Sequence, residues 1–265
     1  MRSARAAEQK AYSCYGLDHR EHFVEIAELE SRIRVVETGD GPPLVLICGG
    51  EGMGLPWLPL LPELDGFTLL VMDRPGGGLS DGVDYHARPV ATLATCSTLG
   101  LFDHFGLDAA PILGNSMGGL WTLRFAQEHP DRVASIGLLG CPALYPGTSA
   151  PLPMRIGSIS WLSEFIVETV IQPDSPENFR DGLSSFGHPK ETIDSLPDEL
   201  IEAAYRIVNL PTFKPSWVGL LQRVLRLRGA HPDAAFDDDD LRAIEPPVSL
   251  LWGTEDPFGS VETGR

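Results

Sequence analysis

Lysine is scarce in this chain. Only Lys10, Lys190 and Lys214 occur, and Lys+Arg reaches 20 against 37 Asp+Glu, for a net charge of -17. A surface of that sign repels phosphate backbones and anionic lipid, so nucleic acid and membrane are not expected partners. Cysteine is sparse as well. Cys14, Cys48, Cys96 and Cys141 form no C-x-x-C pair and no disulfide framework. Cys48 and Cys141 sit in apolar runs, where a cysteine acts as a small hydrophobe. Long apolar stretches are missing too. Runs such as Phe67 to Met72 are far too short to span a bilayer. The segment Met1 to Lys10 carries early positive charge with no apolar stretch behind it, which is not the pattern of a secretory signal. A reduced, cytoplasmic compartment is the expected location. No G-x-G-x-x-G follows a strand, and no G-x-x-x-x-G-K-[ST] occurs. No cofactor and no metal are expected.

What the chain does have is an ordinary globular composition, with 265 residues, 43% hydrophobic and 22% charged. That is enough to bury a sizeable core without staples. Short apolar runs recur: Ile33 to Glu37, Leu44 to Cys48, Phe67 to Met72, Ala110 to Gly114, Ser135 to Gly140 and Val248 to Gly253. Continuous runs of this kind read as strands buried on both faces. Helical patterns lie between them, over Ala91 to Phe105 and Gly119 to His129, with Pro130 as the stop. Alternation of strand and helix predicts an α/β fold, doubly wound on a mostly parallel sheet.

The rhythm breaks once. From Cys141 to Pro246 the pattern is helical, with candidate helices over Ser158 to Val170, Asp198 to Leu210 and Ser216 to Arg228. The expected division is therefore a core part at residues 1–142, a helical insertion at 143–235 and a second core part at 236–265. Trp161, Leu162, Phe165 and Ile166 form an apolar stripe at helical spacing, read as packing within the insertion. The run Asp237 to Asp240 reads as solvated acidity at the start of a short helix, Asp240 to Ile244, rather than as a cation site.

One segment carries chemistry. Gly114-Asn115-Ser116-Met117-Gly118-Gly119 is a G-x-S-x-G string framed by a strand and a helix. A serine on so tight a turn adopts strained backbone, and small neighbours let the chains pass. The helix behind it offers N–H groups to a developing oxyanion. Cys48-Gly49-Gly50-Glu51-Gly52-Met53-Gly54 follows the first long strand and can present a further N–H. Asp73-Arg74-Pro75-Gly76-Gly77-Gly78-Leu79-Ser80-Asp81 follows the next, with a structural role as a sharp turn. Trp252-Gly253-Thr254-Glu255-Asp256-Pro257 follows the last, and puts Asp256 at a strand's carboxyl end, where open α/β sheets place their sites.

On these residues, from about Phe23 onward, the sequence resembles serine hydrolases of the α/β-hydrolase fold that carry a helical lid. The resemblance implies Ser116 as nucleophile, Asp256 as the triad acid, and an oxyanion hole built from the backbone N–H groups of Gly50 and Met117. It implies a lid at roughly 143–235 walling a small-molecule pocket. It implies hydrolysis of a small ester-like substrate through an acyl-enzyme. The string Gly-Asn-Ser-Met-Gly-Gly also resembles hydrolases that cleave carbon–carbon bonds in ring-fission products. A non-catalytic ligand-binding protein is the third reading.

The sequence departs from the family pattern in two places. The first glycine-rich loop opens Cys48-Gly49 where the family usually has His-Gly. The family also places its base histidine some way beyond the acid, and no histidine follows Asp256 here. The expectation is a chain lacking its final strand and helix, and nearly inactive as it stands. The seven histidines are His19, His22, His86, His104, His129, His188 and His231. His104 and His129 are expected at the surface, while His86, His188 and His231 are the ones placed to approach a pocket.

Overall fold

The computed structural model describes residues 1–166 and 173–265, without the side chains of 164–166, 185 and 186. The chain opens with a helix, α1 (Arg2–Cys14), then a strand, β1 (His19–Ile26). Neither was legible in the sequence. The charged stretch Asp18 to His22 leads into and opens an edge strand, in which Arg20 and Glu25 are exposed. β2 (Ser31–Gly39) pairs antiparallel with β1, from His19 opposite Thr38 to Ile26 opposite Ser31. β3 (Pro43–Ile47) follows the turn at Gly41, and β4 (Thr68–Asp73) follows a looped connection.

The next elements are α2 (Val90–His104), β5 (Ala110–Asn115), α3 (Met117–Glu128) and β6 (Val133–Leu139). These match the predicted runs to within two residues at each end. α2 and α3 pack against each other. Then comes the helical insertion: α4 (Leu152–Ile156), α5 (Ser160–Ile166), α6 (Pro176–Gly182), α7 (Lys190–Ser195), α8 (Asp198–Val208) and α9 (Phe213–Val224). It ends in a minimal hairpin of β7 (Leu225–Arg226) and β8 (Gly229–Ala230). The helix expected to run to Arg228 therefore stops at Val224, where Leu225 turns to extended backbone. The helix expected over Ser158 to Val170 is seen over Ser160–Ile166, and 167–170 lie outside the described residues. The sheet resumes after α10 (Asp238–Arg242) with β9 (Val248–Leu251), and α11 (Val261–Gly264) follows.

α10 starts two residues earlier than expected. Asp237 accepts from the Asp240 N–H at 2.8 Å, and the Asp240 carboxylate accepts from the Asp237 N–H at 3.2 Å. This reciprocal cap explains the acidic run without a cation.

The seven-stranded sheet runs β1-β2-β4-β3-β5-β6-β9. The β1/β2 and β2/β4 pairs are antiparallel and the rest parallel. Leu44 to Ile47 and Leu69 to Asp73 are buried throughout, so the middle of the sheet is covered on both faces. β9 is different. It pairs only with β6 among the described strands, and all four of its residues are exposed. A continuous apolar run, which reads as doubly buried, here lies open at a sheet edge. Trp161 is a second correction. It is 81% exposed rather than packed, and the side chains of Phe165 and Ile166 lie outside the described residues.

α1 is tied to the sheet through charge. Glu8 is buried and grips the guanidinium of buried Arg34 on β2 at 2.6 and 2.9 Å. Arg34 also reaches Glu21 at 2.8 Å and Asp73 at 3.0 Å. α1 packs as well on α8 of the insertion.

Candidate active site

β5 delivers Ser116 to the carboxyl end of the sheet, and α3 begins at the next residue. Ser116 has φ 49° and ψ -111°, a region L-residues avoid at a cost of about 1–3 kcal/mol. The neighbours explain how the turn closes. A Cβ at Gly118 would fall on the Ile47 carbonyl oxygen, and one at Gly114 would lie 2.7 Å from the Gly118 carbonyl oxygen. The Ser116 carbonyl accepts from Gly119 at 2.9 Å and from Ala143 at 2.9 Å, which fixes the elbow to the chain leaving β6. Met117 opens α3, so its N–H belongs to the first turn, which has no intrahelical acceptor.

The loop after β3 passes directly over this turn. A Cβ on Gly49 would lie 3.0 Å from the Ser116 Cβ and 2.8 Å from the Asn115 carbonyl oxygen, so only glycine fits. Gly50 has φ 37°. The loop carbonyls bind one side chain that sequence reasoning did not single out. Arg74 Nε donates to the Cys48 carbonyl at 2.9 Å, and Nη2 donates to those of Gly50 at 2.7 Å and Gly49 at 3.2 Å. Its guanidinium also lies over the Trp121 ring at 4.8 Å.

Asp256 is at the carboxyl end of β9. Its Oδ2 accepts from the Cys141 N–H at 2.9 Å and its Oδ1 from the Phe258 N–H at 2.9 Å. Asn115 Nδ2 donates to the Leu139 carbonyl at 2.7 Å. Asp256 Oδ2 and Asn115 Nδ2 flank Gly140, 3.5 and 3.6 Å from where its Cβ would be. Thus Ser116, Gly49, Gly50, Asn115 and Asp256 converge at the carboxyl ends of β3, β5, β6 and β9. Burial pushes the Cys141 thiol up to about 12, with the Asp256 charge adding to it, so this thiol is inert beside the site. Cys48 is likewise pushed up to about 12 by burial.

The histidines do not converge. His22 bonds Glu37 at 2.7 Å, His86 bonds Gln222 at 3.1 Å and His231 bonds Arg226 at 3.1 Å. His19 stacks on Tyr12, and His129 packs on Phe125. His104 is exposed as expected, but His129 is half-buried. His188 follows Gly187, whose Cβ would lie 2.9 Å from the Pro257 ring, and burial lowers the pKa of its imidazole. Among the described residues no histidine hydrogen-bonds Ser116 or Asp256.

The turn after β4 has the structural role its sequence suggested. The Asp73 carboxylate accepts from the Gly54 N–H at 2.7 Å and the Leu79 N–H at 2.9 Å. Ser80 is buried, donates to the Asp73 carbonyl at 2.8 Å and accepts from the Arg34 N–H at 2.8 Å, so its hydroxyl is committed. A small, half-open cleft lies between this turn and α9, walled by Glu51, Arg74, Tyr85, Ser216 and Trp217, and Ser116 is not in its wall. Burial raises the Glu51 carboxyl above its ordinary pKa. Among the described residues no group of three His, Cys, Asp or Glu is placed to hold a metal ion, and no helix is long and apolar enough to cross a membrane.

The model of the alpha/beta hydrolase fold family matches residues 42–264. The chain belongs to this family. Curated relatives include a 2-hydroxy-6-oxononadienedioate/2-hydroxy-6-oxononatrienedioate hydrolase of Cupriavidus pinatubonensis, 28% identical over 248 residues, covering 91% of this chain and 80% of that one. A 2-hydroxy-6-oxo-6-phenylhexa-2,4-dienoate hydrolase of Burkholderia cepacia is 26% identical over 240 residues, covering 88% and 78%. Among solved structures, a carboxylesterase of Bacillus subtilis superposes with a TM-score of 0.71 at 16% identity, covering 98% of this chain and 83% of that one. A 2-hydroxy-6-oxo-6-phenylhexa-2,4-dienoate hydrolase of a Rhodococcus species gives 0.69 at 21%, covering 94% and 85%. At those identities the two structures bear on the fold alone.

Proposed function

We propose that this hydrolase works by nucleophilic attack of Ser116 on the carbonyl carbon of a small substrate. The observation that carries this reading is the strained backbone of Ser116, at φ 49° on a turn where Gly118 abuts the Ile47 carbonyl. Strain of that kind persists only where the surroundings impose it, and it clusters at reacting groups. In this reading the N–H groups of Gly50 and Met117 hold the oxyanion, and Asp256 orients the base. The helical insertion between β6 and β9, at about 143–235, acts as the lid. Ser116 Oγ forms a bond to the carbonyl carbon as its proton passes to a base. The bond to the leaving group then breaks as that group takes the proton, and water hydrolyses the acyl ester to release the acid and restore the serine hydroxyl.

Ester-like substrates fit this chemistry directly. Carbon–carbon cleavage of ring-fission products is the second reading, favoured by the relatives at 24–28% identity named as hydrolases of 2-hydroxy-6-oxo-dienoates and -dienedioates. Both begin with an activated carbonyl. The described residues put no imidazole against Ser116, so the 265-residue chain is expected to turn over very slowly. Removing the base of a serine hydrolase costs on the order of a millionfold in turnover.

Added imidazole offers a base from solution. The test compares 4-nitrophenyl acetate and a vinylogous 1,5-diketone, each with rising imidazole, for the chain and for Ser116→Ala. A rise in rate that saturates with substrate and vanishes in Ser116→Ala supports the nucleophile, and the better substrate names the class. Identical rates for the two proteins at every imidazole concentration reject Ser116 as nucleophile and favour the ligand-binding reading.

A further inference from the structure

We propose that Arg74 is a positioning residue that sets the separation and the aim of the two oxyanion donors. The inference rests on the reading of Ser116 as nucleophile with Gly50 and Met117 as donors. It starts from a property of the peptide unit. In a trans peptide the carbonyl of one residue and the N–H of the next point in opposite directions. The Gly49 carbonyl and the Gly50 N–H belong to one such unit. Arg74 Nη2 holds that carbonyl at 3.2 Å, so the Gly50 N–H is turned away from the guanidinium. The carbonyls on either side are held too, Cys48 by Nε at 2.9 Å and Gly50 by Nη2 at 2.7 Å. Three successive peptide planes are thereby anchored by one rigid group, in a loop whose glycines would otherwise leave their orientation open.

The same group reaches the second donor's element. Its Cζ lies over the ring of Trp121, a fully buried side chain of α3, 4.8 Å from the ring centroid. α3 begins with Met117. One planar cation therefore spans from the segment bearing the Gly50 N–H to the helix bearing the Met117 N–H. Its own position is set by backbone, because the Arg74 N–H donates to the Gly52 carbonyl at 2.8 Å and its carbonyl accepts from Gly77 at 2.9 Å. Among the described residues its hydrogen bonds go to carbonyls rather than to carboxylates. A planar fork that stacks on an aromatic ring and donates along two edges is a property of arginine that lysine lacks.

The test uses Arg74→Lys and Arg74→Met in the full chain, with Ser116→Ala as baseline. The ligand is phenylboronic acid, which adds to a serine Oγ and carries its negative charge where the oxyanion would be. The boron–oxygen bond forms as the serine proton is released to solvent, and the equilibrium needs no base to be reached. The readouts are the dissociation constant by calorimetry and the thermal midpoint. The expected result is binding about tenfold to a hundredfold weaker in Arg74→Met, by comparison with the loss of an oxyanion donor. Arg74→Lys, with one anchoring donor in place of three bonds, should fall between the two while keeping a near-native midpoint. Unchanged affinity in the folded variants, whatever their midpoints, overturns the positioning role. Should Arg74→Met fail to fold, Arg74→Lys decides, and native affinity there rejects the proposal. A native chain that binds no better than Ser116→Ala rejects the nucleophile reading itself, and the positioning role falls with it.

Discussion

Arg34 Nη1 lies 3.0 Å from Asp73 Oδ2, with both side chains buried. This bond joins two halves of the molecule that the sequence keeps apart. On one side Arg34 holds Glu8 of α1, and α1 packs on the insertion through α8. On the other side Asp73 accepts from Gly54 and Leu79 and so shapes the loops on either side of it. Three carboxylates, Glu8, Glu21 and Asp73, share the one guanidinium.

The imbalance in that cluster predicts opposite behaviour for its members. Arg34→Met removes the cation that all three acids share and leaves Glu8 and Asp73 facing each other, while Arg5 stays 3.8 Å from Glu21. A loss of about 3–5 kcal/mol is expected, as for other broken buried pairs, and urea unfolding at pH 7 measures it. Glu8→Gln keeps the hydrogen-bonding shape and removes an excess charge, so its cost at pH 7 is expected to be much smaller. Equal losses in the two variants would contradict this account.

Glu8 also sets a pH dependence. Burial, reinforced by the charges of Asp73 and Glu21, outweighs Arg34 and raises its carboxyl from the ordinary 4.5 to about 7. The folded state therefore holds a proton that the unfolded state has lost between those two values. The sign follows from linkage. The contribution of Glu8 to stability is fully present below pH 4.5 and is lost as pH rises through 7. Unfolding free energy measured from pH 4.5 to 8 should fall more steeply in the native chain than in Glu8→Gln. Parallel curves would show that Glu8 does not titrate in this window.

Strain at the elbow has a measurable sign. Ser116→Gly relieves the φ of 49°, while Ser116→Ala keeps it. The glycine variant should be the more stable of the two by about 1–2 kcal/mol, although glycine elsewhere usually destabilises. Gly118→Ala should do the reverse, because its Cβ meets the Ile47 backbone rather than a movable side chain. Denaturant midpoints of the three variants settle both points.

Much of this was legible in the sequence, and the reasons differ by element. The central strands announced themselves because doubly buried strands are nearly pure apolar runs, and the elbow because its glycines are dictated by contacts with backbone. α1 and β1 were missed because their signals are not periodic in apolar residues. β1 mixes charged and apolar residues, with Arg20 and Glu25 exposed and Glu21 bonded to Arg34, and α1 buries the charged Glu8. Trp161 was misjudged because helical spacing of apolar residues does not say whether a partner covers them. Arg74 stood within a segment recognised as a turn. Nothing in one chain's spelling reveals that a side chain will reach back to three carbonyls two dozen residues away.

Asp256 ties the segment after β9 to the chain leaving β6. Its two carboxylate oxygens accept from the Cys141 and Phe258 N–H groups, so Asp256→Ala frees both at once. Hydrogen bonds to a charged acceptor contribute about 1.5–3 kcal/mol each when buried, and less at a half-exposed site such as this. The expected signature is local. Hydrogen exchange should accelerate at Cys141 and Phe258 in Asp256→Ala, with the Asn variant intermediate, while the amides of β3 and β4 stay protected. Protection unchanged at Cys141 would mean that the bond is absent in solution.

The exposed edge of the sheet gives the last expectation. Val248, Leu250 and Leu251 of β9 are 44%, 38% and 72% exposed. An open apolar strand presents unpaired N–H and carbonyl groups beside apolar side chains, which is the arrangement that pairs with other chains. Neither proline nor a charged side chain interrupts Val248 to Leu251, although both are common means of blunting such an edge. The 265-residue chain should therefore self-associate as its concentration rises. Leu251→Lys places a charge on its most exposed position at little cost to packing, since that side chain buries little to begin with. Light scattering against concentration should show the native chain aggregating first and the lysine variant remaining monomeric several-fold higher. Both proteins aggregating alike would move the site of association elsewhere, and the exposed Trp161 would be the next position to substitute.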